Sequence, residues 1–182
     1  MFFCPNQIGT GINIAGSHAE YMVAYAAASQ LLPDGLSYEQ AAPIFCAGYT
    51  AYSGLRLADP KPHERVAVVG IRGLGHLGIQ YSKAAGFETI AVTHSKDKEE
   101  LAYKLGADSV VADGEGLLEQ GGYGGADVIL ATSNSYKATA DSIKGLRPDG
   151  WTLCFNGSLN RAFYNFSRDL IQTCPHHRLY TK

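Results

Sequence analysis

The chain has 182 residues, 46% of them apolar and 18% charged, enough for one ordinary core and a partial second unit. A formal net charge of −2, with no block of like charge, offers no broad basic surface to a nucleic-acid backbone and excludes nucleic acid as an expected partner. The opening MFFCPNQIG lacks the cationic start and long apolar stretch of a signal peptide, and no apolar run approaches the roughly 18 residues of a membrane span. The expectation is a cytoplasmic protein with no membrane partner. Cys4, Cys46, Cys154 and Cys174 stand far apart without a C-x-x-C pair, which fits a reducing compartment better than a disulfide framework.

Residues 16 to 35, GSHAEYMVAYAAASQLLPDG, open with a strand-like alternation and close on a Pro-Asp-Gly turn. Ser37, followed by Glu39 and Gln40, is a helix-start signature. AAPIFCAGYTAYSGLRLA (41 to 58) then carries small and apolar residues at helical spacing until Asp59-Pro60-Lys61-Pro62 stops it. RVAVVG (65 to 70) is a short β-branched run of the kind buried on both faces of a sheet, and LGHLGIQYSKAAG (74 to 86) is a helix ending on Gly86. TIAVT (89 to 93), a charged helix SKDKEELAYKLG (95 to 106), SVV (109 to 111), ADVILAT (126 to 132), a helix near Tyr136 to Gly145 and WTLCF (151 to 155) continue the series. Strands alternating with helices predict an α/β, Rossmann-type, doubly wound parallel sheet. The last stretch, SLNRAFYNFSRDLIQTCPHHRLYTK, breaks the rhythm. No sixth buried strand is expected in it, which leaves a sheet edge awaiting a partner.

A strand that runs through glycines into a helix creates an anion site. Backbone N–H groups of the turn and first helical residues point outward, and the helix dipole favours negative charge. VAVVGIRGLGHLGIQ contains an intact G-x-G-x-x-G at Gly73, Gly75 and Gly78, but the first glycine must turn the chain directly off the strand, which sets the frame at Gly70, Gly73 and Gly75. Gly78 is then a small helix residue facing the sheet, and Arg72 occupies the second-glycine position, where the backbone comes nearest a pyrophosphate. Its side chain either crowds the phosphates or turns outward and adds a cation for them. Leu74 completes the expected phosphate loop.

The end of the second strand selects the cofactor. An Asp or Glu there holds both ribose hydroxyls of NAD; here the position is Thr93, followed by His94, Ser95 and Lys96, with Lys98 nearby. Hydroxyl, imidazole and ammonium groups suit a 2′-phosphate, so NADP is expected in preference to NAD. Ala131 and Thr132, ending ADVILAT, complete the expected cofactor contacts.

GSHAEYMV, LPDGLSYEQAAPIFCAGYTAY, RVAVVGIRGLGHLGIQYSKAAGFETIAV and KLGAD together resemble the zinc-dependent medium-chain alcohol dehydrogenases, particularly the NADP-preferring, cinnamyl-alcohol-dehydrogenase-like branch. The likeness runs in unbroken order over about residues 16 to 157. It implies that Cys46, in A-P-x-x-C-A-G-x-T, is a ligand of a catalytic zinc, and that Thr50 lies against the nicotinamide and relays protons or orients the ring. The implied chemistry is hydride transfer between a small-molecule alcohol and an aldehyde or ketone, with zinc polarising the oxygen.

The resemblance further implies a remnant of a GroES-like catalytic domain over residues 1 to 40, a Rossmann domain over 41 to 157 and a divergent tail over 158 to 182. The family's C-G-x-C-H and G-H-E segments, which carry the other two zinc ligands, are absent, so the chain reads as an incomplete dehydrogenase that does not retain zinc alone. His18 and the Cys174-Pro-His-His177 cluster fit no zinc pattern, and His76, near the helix start, is expected to be packed or solvated rather than turned to the phosphates. Family members pair through the sheet edge, making a homodimer the expected assembly. Two alternatives stay open: an NADPH-binding fragment without turnover, and a zinc-free reductase resembling quinone oxidoreductases.

Overall fold

The computed structural model describes residues 8–120, 124–155 and 163–165. The chain divides into two compact units, Met1–Ala41 and Ala42–Lys182.

In the first unit the strand-like alternation of residues 16 to 25 does not become a strand. Among the described residues the unit holds one isolated bridge, Thr10 to Ile14, and a short 3-10 turn, Ala26–Ala28. A strand needs a neighbour for its N–H and C=O groups and a face to bury. Tyr21 and Val23 are instead 89% and 91% exposed, so the alternation pays no packing dividend here. The Pro-Asp-Gly turn does form, with Leu36 N–H donating to Pro33 O. The helix start beyond it is a reciprocal cap: Gln40 N–H donates to Ser37 Oγ at 3.3 Å, and Ser37 N–H to Gln40 Oε1 at 3.2 Å.

α1 (Tyr38–Pro43) passes through a π-helical segment, Ile44–Gly48, into α2 (Tyr49–Ala58). The second unit then alternates β1 (Arg65–Val69), α3 (Gly73–Ala84), β2 (Glu88–Val92), α4 (Lys96–Lys104), β3 (Ser109–Val111), α5 (Gly114–Glu119), β4 (Ala126–Ala131), α6 (Tyr136–Ser142), β5 (Leu146–Cys154) and β6 (Phe163–Asn165). Strands β1 to β5 are parallel in the order β3-β2-β1-β4-β5, the doubly wound arrangement.

Both faces of this sheet are covered, which is why the β1 sequence is apolar without alternation. Val66 and Val68 pack with Leu55 of α2, Ile79 of α3 and Ala102 of α4, while Ala67 and Val69 pack with Leu117 of α5 on the opposite face. The outer edge of β5 is not left open as expected. β6 pairs with it antiparallel through Trp151–Asn165, Thr152–Tyr164 and Leu153–Phe163. Three residues are too few for a periodic signal, so this strand is specified by its partner rather than by its own pattern. The rest of the tail, including Cys174 to His177, lies outside the described residues, as does Cys4.

Electrostatic ties fix the ends of the strands opposite the glycine turn. Asp127 accepts from the Arg65 amide at 2.8 Å and from Arg147 Nη1 at 2.9 and 3.0 Å. Asp108 accepts from the Thr89 amide at 2.9 Å and pairs with Lys83 of α3. Burial pushes the Asp108 carboxyl up, but Lys83 and the Thr89 N–H outweigh it and hold the group below its ordinary range.

Candidate cofactor site

The order of the sheet reverses at β1, which pairs with β2 on one side and β4 on the other. At the carboxyl end of such a switch point the loops diverge and leave a crevice. Gly70 makes the turn off β1 at φ 87°, a conformation disfavoured for residues bearing a Cβ. A Cβ there would also stand 3.0 Å from both Cα and Cβ of Ser133, which follows β4. Thr132 locks the turn: its N–H donates to Val69 O at 3.0 Å, and its hydroxyl lies 2.7 Å from Gly70 O.

Gly75 allows α3 to sit against this turn. A Cβ on Gly75 would lie 1.9 Å from Gly70 O and 2.8 Å from Thr132 Oγ1. Gly73, by contrast, faces open space, with nothing within 4 Å of where its Cβ would be. The first helical bond of α3 runs from His76 N–H to Arg72 O at 2.7 Å. The N–H groups of Gly73, Leu74 and Gly75 are therefore the unpaired donors of the helix start. Gly78 faces the sheet: a Cβ there would stand 3.5 Å from Val68 and 3.6 Å from Leu130.

Arg72 precedes these donors in an extended conformation, φ −116° and ψ −160°, that any residue adopts. Its side chain is exposed and makes no hydrogen bond or ion pair among the described residues. The departure from glycine thus carries no backbone strain.

A cleft of about 320 Å³ opens beside Gly70, and Thr93, His94, Ser95, Asp113, Ser135 and Asp141 are among the residues that line it. No carboxylate stands at the end of β2: Thr93 donates its N–H to Val111 O and accepts the Ser95 N–H on its hydroxyl. Lys98 is half-buried at the start of α4, with Asp97 4.0 Å from its ammonium. Lys144 beside Asp141, aided by the Gly114 N–H, holds the Asp141 carboxyl below its ordinary range.

Gly70, Thr93, His94 and Ser95 therefore share one cleft, and Arg72, Gly73, Leu74 and Gly75 continue from it into α3. Ala131 does not join them. It is fully buried, and its carbonyl accepts the Phe155 N–H, so it belongs to the sheet. Thr132 acts on the Gly70 turn rather than on open space. His76 is occupied within α3 by Gln80, 3.0 Å from its Nδ1, and His18 is exposed in the first unit. Sequence reasoning missed Ser133, Asp113, Ser135 and Asp141. Asp113 and Ser135 carry a local signal, since each immediately precedes a helix and caps it.

Cys46 and Thr50 are not among the cleft-lining residues. Cys46 is exposed in the π-helical segment, and Thr50 is half-buried one residue into α2. Among the described residues, no group of three or more His, Cys, Asp or Glu side chains is placed to hold a metal ion. Likewise, no described helix is long and apolar enough to cross a membrane.

Comparison with known proteins gives this geometry a family. The profile of the zinc-binding dehydrogenases matches residues 73–170, more than half of the chain, and the chain belongs to that family. It is 41% identical over 150 residues to an alcohol dehydrogenase of Geobacillus stearothermophilus, a match covering 81% of this chain and 44% of that relative. The chain thus spans less than half the length of that curated relative. Among solved structures, CAD from Helicobacter pylori, determined in complex with NADP(H), is similar with a TM-score of 0.60 and 26% identity, over 67% of this chain and 34% of that one. A quinone oxidoreductase from Pseudomonas syringae pv. Tomato DC3000 gives a TM-score of 0.60 and 27% identity, over 69% and 40%.

Proposed function

We propose that the chain binds NADP(H) along the carboxyl ends of β1, β2 and β4 and, within an alcohol dehydrogenase, serves hydride transfer between an alcohol and an aldehyde or ketone. The observation that carries this reading is the joint arrangement of the Gly70 turn, the open start of α3 and a β2 end bearing Thr93, His94 and Ser95 in place of a carboxylate. When bound, the nicotinamide cofactor supplies or accepts the hydride. The chain's own part is to fix it. The N–H groups of Gly73, Leu74 and Gly75 would hold the pyrophosphate, Arg72 adds charge beside them, and the Thr93–Lys98 segment would take the 2′-phosphate. Thr50 is proposed to orient the nicotinamide, as the resemblance implies.

A catalytic zinc needs three protein ligands and an open position. Cys46 is a single exposed donor, and the described donor set does not amount to such a site. Cys46 keeps only the one-ligand role that the resemblance implies. The same reading takes residues 1 to 40 as part of a GroES-like domain and a cytoplasmic homodimer as the working assembly.

A second reading is a chain that binds NADPH but turns over no alcohol. Fluorescence titration with NADPH and NADH tests the shared premise: NADPH is expected to bind about tenfold tighter, and equal or reversed affinities would overturn the NADP assignment. Metal analysis and alcohol turnover on the same sample separate the two readings.

A further inference from the structure

The lining of the cleft beside Gly70 is of mixed character. Thr93, His94 and Ser95 bring hydroxyl and imidazole groups to it, Asp113 and Asp141 bring carboxylates, and Ala112 and Ala138 bring small apolar side chains. A dinucleotide whose phosphates lie at Gly70 and whose ribose lies at Thr93 must place its base further along the same cleft. Alanines are small enough to admit a flat ring in such a cleft, and the carboxylates are the acceptors that its lining offers to the ring's edge.

The two carboxylates are not equivalent. Both oxygens of Asp141 are engaged, Oδ2 by the Gly114 N–H at 2.9 Å and Oδ1 by Lys144 at 2.8 Å. Asp113 accepts from the Gly116 N–H through Oδ1 at 2.8 Å, while Oδ2 has no partner among the described residues. An ionised carboxylate offers acceptors and no donor. It can receive a hydrogen bond from an amino group on a purine, and it repels a carbonyl oxygen in the same place.

We propose that Asp113 reads the base of the cofactor, selecting a 6-amino purine over a 6-oxo purine through its free oxygen. This deepens the NADP(H) reading above and rests on it. Asp113 is thus both a helix cap and a specificity residue, and the two roles use different oxygens.

The test is titration of the full chain with NADPH and with its hypoxanthine (deamino) analogue, in the wild type and in Asp113→Asn. Asparagine caps a helix as well as aspartate does, so the fold is retained, which a urea midpoint verifies. The amide, however, presents a donor where the carboxylate offered an acceptor. Wild type should prefer NADPH by roughly tenfold, the size of a hydrogen bond to a charged group, and Asp113→Asn should bring the ratio to about one or reverse it. A wild type that binds both nucleotides alike overturns the proposal. So does an Asp113→Asn variant that weakens both equally, since that outcome leaves Asp113 only its capping role. If wild type binds neither nucleotide, the cofactor reading of the whole cleft falls with it, a result distinct from lost discrimination.

Discussion

Two glycines two residues apart, Gly73 and Gly75, should respond to the same substitution in opposite ways. In Gly75→Ala the new methyl would begin 1.9 Å from Gly70 O, whereas ordinary contact starts at 3.4 Å. Neither neighbour is a flexible side-chain end: one is the turn carbonyl and the other the Thr132 hydroxyl that locks it. The start of α3 must therefore retreat from β1 by roughly 1.5 Å, the difference between those two distances. That retreat loosens the packing of α3 on the sheet around Gly78, where a Cβ would already meet Val68 and Leu130 at 3.5 and 3.6 Å. A gap of even 0.5–1 Å forfeits about a quarter to a half of a dispersion well, and forced overpacking costs about 1–3 kcal/mol. The expected penalty is about 2–3 kcal/mol, which lowers a urea midpoint by about 1 M at ordinary slopes. Gly73→Ala meets open space and gains helix propensity, so its midpoint should stay or rise slightly. Urea unfolding followed by circular dichroism, with and without NADPH, reads both variants. Saturating NADPH should raise the wild-type midpoint by ligand linkage and leave Gly75→Ala little changed. Equal midpoints for wild type and Gly75→Ala would refute the packing argument.

Two further outcomes follow from sites described above. Arg72→Ala should weaken NADPH binding severalfold, with a shallower salt dependence, because an unstrained, exposed guanidinium beside the α3 donors adds charge without crowding them; tighter binding in a fluorescence titration would restore the crowding explanation. Asp108→Ala removes the acceptor of the Thr89 amide and the partner of Lys83, at a cost of about 1–2 kcal/mol at pH 7. The Asp108 carboxyl titrates lower when folded, so its charge stabilises the fold above about pH 4 and that share is lost as pH falls through the depressed value. The stability gap between wild type and variant should therefore narrow in acid, and a gap that widens below pH 4 would contradict the ion-pair account.

The sheet was legible because burial on both faces leaves a strong mark. VAVV, IAV and VILA are short apolar runs rich in β-branched residues, and at that length they suit strands buried on both faces. The glycine turn was legible for a related reason, since only one glycine directly follows the strand. Helix α5 was missed. GEGLLE contains two glycines and lacks helical periodicity, and it is held instead by the Asp113 cap, by Leu117 in the core and by Asp141 reaching over from α6.

The alternation around Tyr21 and Val23 misled because a strand needs a neighbour that local sequence does not encode, and β6 was overlooked for the converse reason. In the candidate site, Thr93 and Arg72 could be weighed from position alone. Asp113 and Asp141 could not, because one caps α5 and the other lies within α6, and they meet at the cleft only through the packing of those two helices.

The π-helical segment that carries Cys46 also bears on how this stretch tolerates changes in length. An α-helix advances each residue by about 100°, and a π turn accommodates one residue more than an α turn does. Deleting one residue between Ile44 and Gly48 would let the segment close as ordinary α-helix, at little cost in backbone hydrogen bonds. A deletion at Ala47 would also cut the Cys46–Thr50 separation from four residues to three, leaving the two side chains that the resemblance assigns to a single reaction about 60° out of phase around the α-helix. The length of this one turn, more than its residue types, sets their phase.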